Sequence, residues 1–509
     1  MIAPWRKIDE FLNEYTMYRV VLYALVVLAG IAFFFSAVGI LDYSFVSLLS
    51  SIVLLGVSCV SVNRVAAWAL SVPTNVESAA ITSLILFFVV TPPQNFSEGM
   101  VLVGVGAISM LSKYLLAWQK KHVFNPVAIA LVIAGILGLP IASWWVATPV
   151  LAPFTLILGI LVVRKIRRFG MVGAFILAAS MGILGLGLWR GANLTDLVYE
   201  LYASWPIAFF ATFMLTEPLT TPPTWQYRVA YGVLVGAIFG SQLGWWRLYA
   251  SPELALIMGN IFSFAVSPKY RLLLRLVEKR QLARQTFEFV FQSSRKMRFQ
   301  PGQYMEWTFA HDAPDDRGNR RYFTIASSPT EEEILLGVRI PEQASSYKRE
   351  LAAMQPGEEI VAGQLAGDFT LPADETQPLV FIAGGIGITP FRSMIQYLVD
   401  TKQKRAVTLF YVNKIVDDIA YKDLFDAAKK KLPGFSVVYV LTDESQVPKK
   451  WSGETGYITG EMLQRHLEDI TRPLYYLSGP NAMVDAYKDV LRVNGVNEAA
   501  IKTDYFPGF

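Results

Sequence analysis

The sequence predicts a multi-domain membrane protein. An all-α transmembrane bundle of about ten helices over 1–268 is followed by an antiparallel β-barrel over 269–372 and an α/β domain with a parallel sheet over 373–509. Charge distribution is the first reason. The 509-residue chain is 53% hydrophobic and 17% charged, but only 24 of its first 268 residues are charged, about 9%, against a globular norm of about 25%. The rest carries 62 charges in 241 residues. Recurring apolar runs of membrane-spanning length in the first half are the second reason. The third is a change of pattern in the second half, from period-two strands to strands that alternate with helical segments.

The apolar runs fall at about 19–40, 45–62, 78–92, 99–118, 126–145, 147–163, 170–189, 203–216, 227–247 and 252–268. Those at 78–92 and 203–216 are short and end in Thr91-Pro92-Pro93 and Thr221-Pro222-Pro223. Short, Pro-interrupted helices at comparable places in two halves point to an inverted repeat with broken helices around a midplane site; a re-entrant loop gives the same signature. Basic loop residues set the orientation. Arg6, Lys7, Arg64, Lys120, Lys121, Arg164, Lys165, Arg167, Arg168, Arg228, Lys269 and Arg271 fall on one side and Arg190 and Arg247 on the other. Both termini are therefore expected in the cytoplasm. The first run is too long for a cleavable signal and is preceded by Asp9, Glu10 and Glu14.

Glu77, Glu217 and Glu253 lie near membrane depth, where an ionisable group is either functional or a helix-end residue at the headgroups. Lys121–Pro126 and Leu215–Pro223 place hydroxyls, amides and free backbone groups beside prolines, which is tolerated only when buried in protein or bound to something polar. One cysteine, Cys59, and three histidines, His122, His311 and His466, exclude iron–sulfur clusters, structural zinc and a membrane haem with two axial histidines. Redox chemistry here needs an organic cofactor and no metal. A net charge of +4, scattered along the chain, gives no sign of nucleic-acid binding.

The stretches Glu77–Pro93, His122–Val127, Met214–Thr224 and Pro252–Asn260 resemble, in order and spacing, the membrane family that contains the Rnf complex D subunit and the B subunit of the sodium-translocating NADH:quinone reductase. The resemblance implies a flavin inside the membrane, with Asn125, Thr216, Glu217, Thr220 and Thr221 as the candidates to hold it. The family attaches FMN through a Ser/Thr-Gly-Ala-Ser/Thr tetrad. Here Arg190-Gly191-Ala192-Asn193 lacks both hydroxyls, so the flavin expected is non-covalent FMN or riboflavin.

In the second half Thr286–Phe291 alternates as a half-buried strand, and further short strands run to about 372. After the polar segment 373–377, an apolar strand enters Gly384-Gly385-Ile386-Gly387-Ile388-Thr389-Pro390 and then a helical run. Glycines after a strand let backbone amides approach a pyrophosphate at a helix N-terminus. Strands at 406–412, 436–441 and 473–477 alternate with helical segments.

This half is similar to the ferredoxin–NADP reductase superfamily through an ordered motif set. Phe299-x-Pro301-Gly302-Gln303-Tyr304 resembles the turn before a flavin strand, and Arg321-Tyr322-Phe323-Thr324 the flavin motif. The resemblance implies that Arg321 pairs with the FAD pyrophosphate, that Phe323 lies against the flavin, and that Thr324 bonds its N5 edge. Ser345 and Ser346 fall at the second phosphate turn, and Gly363-x-x-x-Gly367-Asp368-Phe369 at the barrel's closing loop. Gly384, Gly385, Gly387, Thr389 and Pro390 match the nicotinamide-nucleotide loop; Ser478-Gly479-Pro480 matches a Cys-Gly-Pro segment beside the nicotinamide, with serine for cysteine. Phe506 or Phe509 would cover the flavin's far face, or else close the core. Lys414, after its strand, is a pairing partner for a 2′-phosphate or simply solvated, which leaves NADH and NADPH both open. Thr324, Ser478 and Phe509 are the catalytic candidates.

The expectation is a membrane-bound oxidoreductase, in a bacterial inner membrane, that passes electrons from cytoplasmic NAD(P)H through FAD to a membrane flavin and on to a quinone or an extracytoplasmic acceptor. The alternatives are a membrane-anchored reductase serving a partner protein such as a membrane oxygenase, and a redox-driven ion transporter.

Overall fold

A computed structural model describes residues 8–9, 11–12, 15–70, 76–118, 121–139, 142–241, 244–245, 248–268, 271–309, 311, 315 and 319–504. It divides into two compact units, Met1–Ser267 and Pro268–Phe506.

The first unit is helical, with two short ribbons: α1 (Met17–Ala37), α2 (Phe45–Ala69), α3 (Val76–Val89), α4 (Phe96–Leu115), α5 (Pro126–Ile136), α6 (Ala152–Ile166), α7 (Phe169–Trp189), α8 (Leu194–Ala203), α9 (Trp225–Gly240) and α10 (Pro252–Val266). Among the described residues, four of these (α1, α2, α4 and α7) are long and apolar enough to cross a membrane. Each of the ten apolar runs holds helix, but two differ from the expectation. The run expected over 126–145 is helical only to Ile136, because Gly138 takes a positive φ and the chain then turns through Trp144, also at positive φ. The run over 203–216 is cut at Pro206: α8 ends at Ala203, and a short helix continues as a π-turn over Phe210–Met214. Pro206 cannot donate the missing backbone bond. The amphipathic α8, unforeseen because Asp196 and Glu200 interrupt its apolar face, is N-capped by Asn193, whose Oδ1 accepts the Thr195 N–H at 3.0 Å. Asn193 of the departed tetrad thus has a structural use.

Close packing in this unit relies on small residues. Gly232, Gly236 and Gly240 repeat every four residues on α9 and face α7; a Cβ there would lie 2.4, 2.5 and 2.6 Å from the carbonyl oxygens of Met171, Phe175 and Ala179. Helices approach this closely only through small-xxx-small stripes.

The second unit holds two six-stranded sheets. The first contains β1 (Arg271–Ala283), β2 (Thr286–Ser293), β3 (Tyr304–Thr308), β4 (Arg320–Thr324), β5 (Ile334–Arg339) and, after α11 (Ser346–Ala353), β6 (Glu359–Ala366). It is antiparallel in the order β4-β3-β6-β1-β2-β5. Alternation in β1 buries Leu272, Leu274 and Leu276 against Trp307, Phe291 and Leu336. The expected barrel is not closed by a strand ladder among the described residues. Between edge strands β4 and β5 the chain turns, and among the described residues the turn meets β5 through the Ala326 N–H to Leu335 O bond (2.8 Å) and the Leu335 N–H to Ser327 Oγ bond (3.1 Å).

The second sheet is parallel, in the order β10-β9-β8-β7-β11-β12, with β7 (Leu379–Gly384), β8 (Val407–Asn413), β9 (Phe435–Leu441), β10 (Glu454–Thr455), β11 (Leu474–Ser478) and β12 (Ile501–Thr503). Helices α12 (Thr389–Thr401), α13 (Lys422–Lys431), α14 (Gly460–His466) and α15 (Asn481–Val493) connect them. β7 is buried at every position, as a strand covered on both faces must be.

Candidate functional site

β7 stands where the strand order reverses, with β8 on one side and β11 on the other. Ala383 pairs with Ser478 and Gly384 with Val412, so the ends of these three strands open on one crevice. Ligands of open α/β sheets bind at such a reversal. Gly385 turns the chain with φ +52°. Gly387 brings it against β11: a Cβ there would lie 2.4 Å from Ser478 O and 2.6 Å from Gly479 N. Gly479, at φ +156°, has the Gly384 Cα 3.2 Å from where its own Cβ would be. Only glycine fits two backbones this close. Thr389 and Pro390 open α12, and Thr389 Oγ1 donates to Ile386 O at 3.3 Å. Pro390 lacks the N–H that would be unpaired at a first turn. The buried Ser478 donates its hydroxyl to Asp504 Oδ2 at 3.1 Å, and Pro480 caps α15. Lys414 is exposed, and its carbonyl accepts the Asp443 N–H at 3.1 Å. Phe506 and Phe509 lie outside the described residues.

On the antiparallel sheet, Tyr304 faces Thr324 across β3 and β4, and Tyr322 donates its hydroxyl to Glu306 Oε2 at 3.0 Å. Thr324 is buried and Phe323 half-buried, the latter with its ring 6.0 Å from that of Tyr347. Arg321 is 3% exposed. Its guanidinium lies 5.1 Å from the Tyr347 ring centre, and its Nη2 is 3.0 Å from Asp315 Oδ1. The other oxygen of Asp315 accepts the Ser346 N–H at 3.3 Å, while Ser346 Oγ accepts the Asp315 N–H at 2.8 Å and lies 3.1 Å from His311 Nε2. Ser345 caps α11, its hydroxyl accepting the Lys348 N–H. Arg321 and the first turn of α11 thus converge on one carboxylate, the donor set of an anion site. Burial holds the Tyr347 hydroxyl protonated, well above the ordinary tyrosine range. Asp315 has no motif to announce it; its role is visible only once the chain has folded.

In the helical unit, residues distant in sequence meet in one polar knot. His122 Nε2 lies 2.9 Å from Glu217 Oε1, and Asn125 Nδ2 donates to Glu217 Oε2 at 2.9 Å. Thr220 Oγ1 is 3.3 Å from the same oxygen. Asn125 Oδ1 caps α5 through the Val127 and Ala128 N–H groups, its own N–H bonds Asn260 Oδ1 at 2.8 Å, and Asn260 reaches the Tyr231 hydroxyl at 3.2 Å. Nearby, Lys113 Nζ donates to Ser78 Oγ and Thr82 Oγ1, both at 2.9 Å. Of the five predicted residues, Asn125, Glu217 and Thr220 belong to the knot. The other two do not join it through their hydroxyls: Thr216 donates to Thr212 O within its own turn, and Thr221 takes a bond from Arg168. Lys113, Tyr231 and Asn260 were missed, since a single polar residue in an apolar helix gives no spacing signal.

The oxidoreductase NAD-binding domain family matches residues 381–489. Several reductases are similar to part of the chain. NADH-cytochrome b5 reductase 2 of Mycosarcoma maydis is 34% identical over 139 residues, 26% of this chain and 39% of that protein. The F subunit of the Na(+)-translocating NADH-quinone reductase of Neisseria meningitidis serogroup C is 30% identical over 205 residues, 37% of this chain and 49% of that protein. The reductase component of propane 2-monooxygenase from Mycolicibacterium goodii is 29% identical over 215 residues, 42% of this chain and 60% of that protein. The chain spans less than two thirds of each.

Proposed function

We propose that the chain is a membrane-bound electron-transfer enzyme: the C-terminal unit takes electrons from cytoplasmic NAD(P)H, and the helical unit receives them for a flavin or quinone held at the His122–Asn125–Glu217 knot. In this reading 1–268 is the membrane domain, 269–372 the FAD domain and 373–509 the nucleotide domain. The observation that supports it best is the convergence of buried Arg321 and the Ser346 N–H on a carboxylate. A pyrophosphate presents the same charge to the same donors, so FAD fits these residues once Asp315 yields them. When bound, FAD accepts a hydride and gives up electrons singly or in pairs.

The protein's own residues do the positioning. Arg321 and the α11 N-terminus would hold the pyrophosphate, and Thr324, Phe323, Tyr304 and Tyr322 would hold the rest of the flavin. The glycine loop at 384–387 and the α12 N-terminus would take the nucleotide's phosphates. Ser478, Gly479 and Pro480 line the crevice where the nicotinamide would meet the ring. Apolar α1, α2, α4 and α7 carry the lipid contact, and the basic loops put both termini on the cytoplasmic side. The knot supplies carboxylate, imidazole and amide groups to a polar head buried among helices, which suits non-covalent FMN, riboflavin or a quinone.

Anaerobic NADH added to the purified chain should bleach bound FAD, and Arg321→Ala should leave the protein without FAD. A variant that keeps stoichiometric FAD overturns the assignment. The likeness to a monooxygenase reductase component favours one second reading, in which the electrons leave to a partner protein; it predicts a single flavin per chain.

A further inference from the structure

At the glycine loop, Thr389 meets a buried cluster whose other members lie outside the motif set. Glu288 on β2 is buried in the flavin-side sheet, directly opposite Gly337 on β5. A Cβ on Gly337 would lie 2.8 Å from Thr389 Cγ2 and 2.8 Å from the Tyr421 hydroxyl. That glycine leaves a notch into which the nucleotide-side sheet inserts two residues: Thr389, at the end of the glycine loop, and Tyr421, which caps α13 with φ +57°. Tyr421 turns its hydroxyl toward Glu288. Arg392, one turn into α12, lies 5.9 Å from the Tyr421 ring centre, donates Nη2 to Glu331 Oε1 at 2.8 Å and Nη1 to Ala326 O at 3.3 Å. Ser393 Oγ adds a 2.6 Å bond to Ser327 O. Glu288 Oε1, Arg392 Nε and the Tyr421 hydroxyl are sealed from solvent without a hydrogen bond of good geometry.

We propose that Glu288 is a positioning residue for hydride transfer: through Tyr421 and Arg392 it fixes the glycine loop against the flavin-side sheet. The proposal rests on reading this unit as an NAD(P)H–FAD reductase. The charged and titratable groups facing Glu288 are Arg280 from β1 (3.4 Å), Arg392 from α12, Glu331 from the β4–β5 turn and Tyr421 from α13. Arg392 is bound to Glu331, and Arg280 divides its guanidinium between Glu278 at 2.6 Å and Glu288 at 3.4 Å. Burial, the largest influence, raises the Glu288 pKa against the opposing pull of Arg392, the Tyr421 hydroxyl and Arg280, and Glu331 adds a smaller upward push. Ionising Glu288 therefore puts into a buried seam a charge that Arg280 balances only in part, and this weakens the contact. The glycine loop at this contact carries Thr389 and Gly387, so a weaker contact displaces the nucleotide without releasing it.

The test uses the full-length protein with FAD bound, mixed anaerobically with saturating NADH in a stopped-flow instrument from mildly acidic to mildly alkaline pH. Flavin bleaching in the wild type should slow as pH rises. Glu288→Gln, which stays neutral, should keep the fast rate and lose the pH dependence. Glu288→Ala should be slower at every pH, on the order of tenfold, because small misplacements cost rate steeply, with the KM for NADH within about twofold of the wild type. Tyr421→Phe, which removes only the hydroxyl, should show a similar loss, and the double variant no further loss, since residues acting as one unit are not additive. A Glu288→Gln profile that follows the wild type, an unslowed Glu288→Ala, or additive losses in the double variant would each overturn the proposal. A wild type that holds FAD but is not bleached by NADH fails the reductase reading, and this proposal with it.

Discussion

Replacing Gly387 by alanine is the sharpest test of the nucleotide loop. A Cβ at that position would sit 2.4 Å from Ser478 O, 2.5 Å from Ser478 C and 2.6 Å from Gly479 N. Ordinary carbon contacts begin near 3.5 Å, so one backbone must retreat by about 1 Å. Neither is free to do so, because Ala383 and Ser478 are paired in the parallel ladder immediately before the contact. Overpacking of this kind costs about 1–3 kcal/mol. Since about 1.4 kcal/mol is a factor of ten in affinity, the KM for NAD(P)H should rise roughly fivefold to a hundredfold while bound FAD is retained. Gly385→Ala is the internal control: it meets open space, so its penalty is the positive φ alone, about 1–2 kcal/mol. Steady-state KM values, FAD content and thermal midpoints of the two variants decide the matter. A Gly387→Ala protein with an unchanged KM and midpoint would refute the reading of this loop as a close-approach site.

The other expectations follow from the same contacts. Arg321→Ala should lose FAD on gel filtration, and Asp315→Asn should bind FAD more tightly, because the carboxylate that competes with the pyrophosphate is gone; weaker binding by Asp315→Asn would count against that competition. In the helical unit, Glu217→Ala leaves His122 and Asn125 without their shared acceptor, at a cost of about 1–3 kcal/mol, and should lower both the thermal midpoint and any second flavin, whereas Glu217→Gln should recover most of the stability. For pH, the folded Glu288 pKa lies above its unfolded value. Its stabilising effect is therefore full below the ordinary carboxylate range near pH 4.3 and is lost as pH rises through the folded pKa. Denaturant unfolding of Glu288→Gln should show a shallower decline across that window, and an identical decline would contradict the assignment.

The second half of the chain was legible because its chemistry is written in short, contiguous motifs. A glycine loop needs consecutive glycines after a strand, and Arg321–Thr324 is one strand of the flavin-side sheet. What escaped was held by pairs across elements: Asp315 with Arg321, Glu288 with Gly337 and Tyr421, Arg392 with Glu331. Each is an ordinary residue in sequence and becomes particular only through register. The helical half gave its segments but not their ends. Pro206 and the turn at Trp144 shorten helices whose hydropathy continues without a break, because apolar side chains suit a buried turn as well as a helix. Asn125 and Glu217 stood out beside prolines, and the knot does include them. Thr216 and Thr221 carried the same signal, yet their hydroxyls bond elsewhere. Composition near a proline locates a break in a helix without telling which hydroxyl turns toward its centre.

Flavin stoichiometry in the full-length protein tests the central claim most directly. The chain is purified in mild detergent and denatured, and released FAD, FMN and riboflavin are quantified alongside any flavin that stays attached. An electron path that continues into the helical unit through a flavin predicts FAD near one per chain, together with a second, released flavin. FAD alone would contradict that relay and leave the helices as an anchor or a direct quinone site, and no FAD at all would contradict the account from its first step.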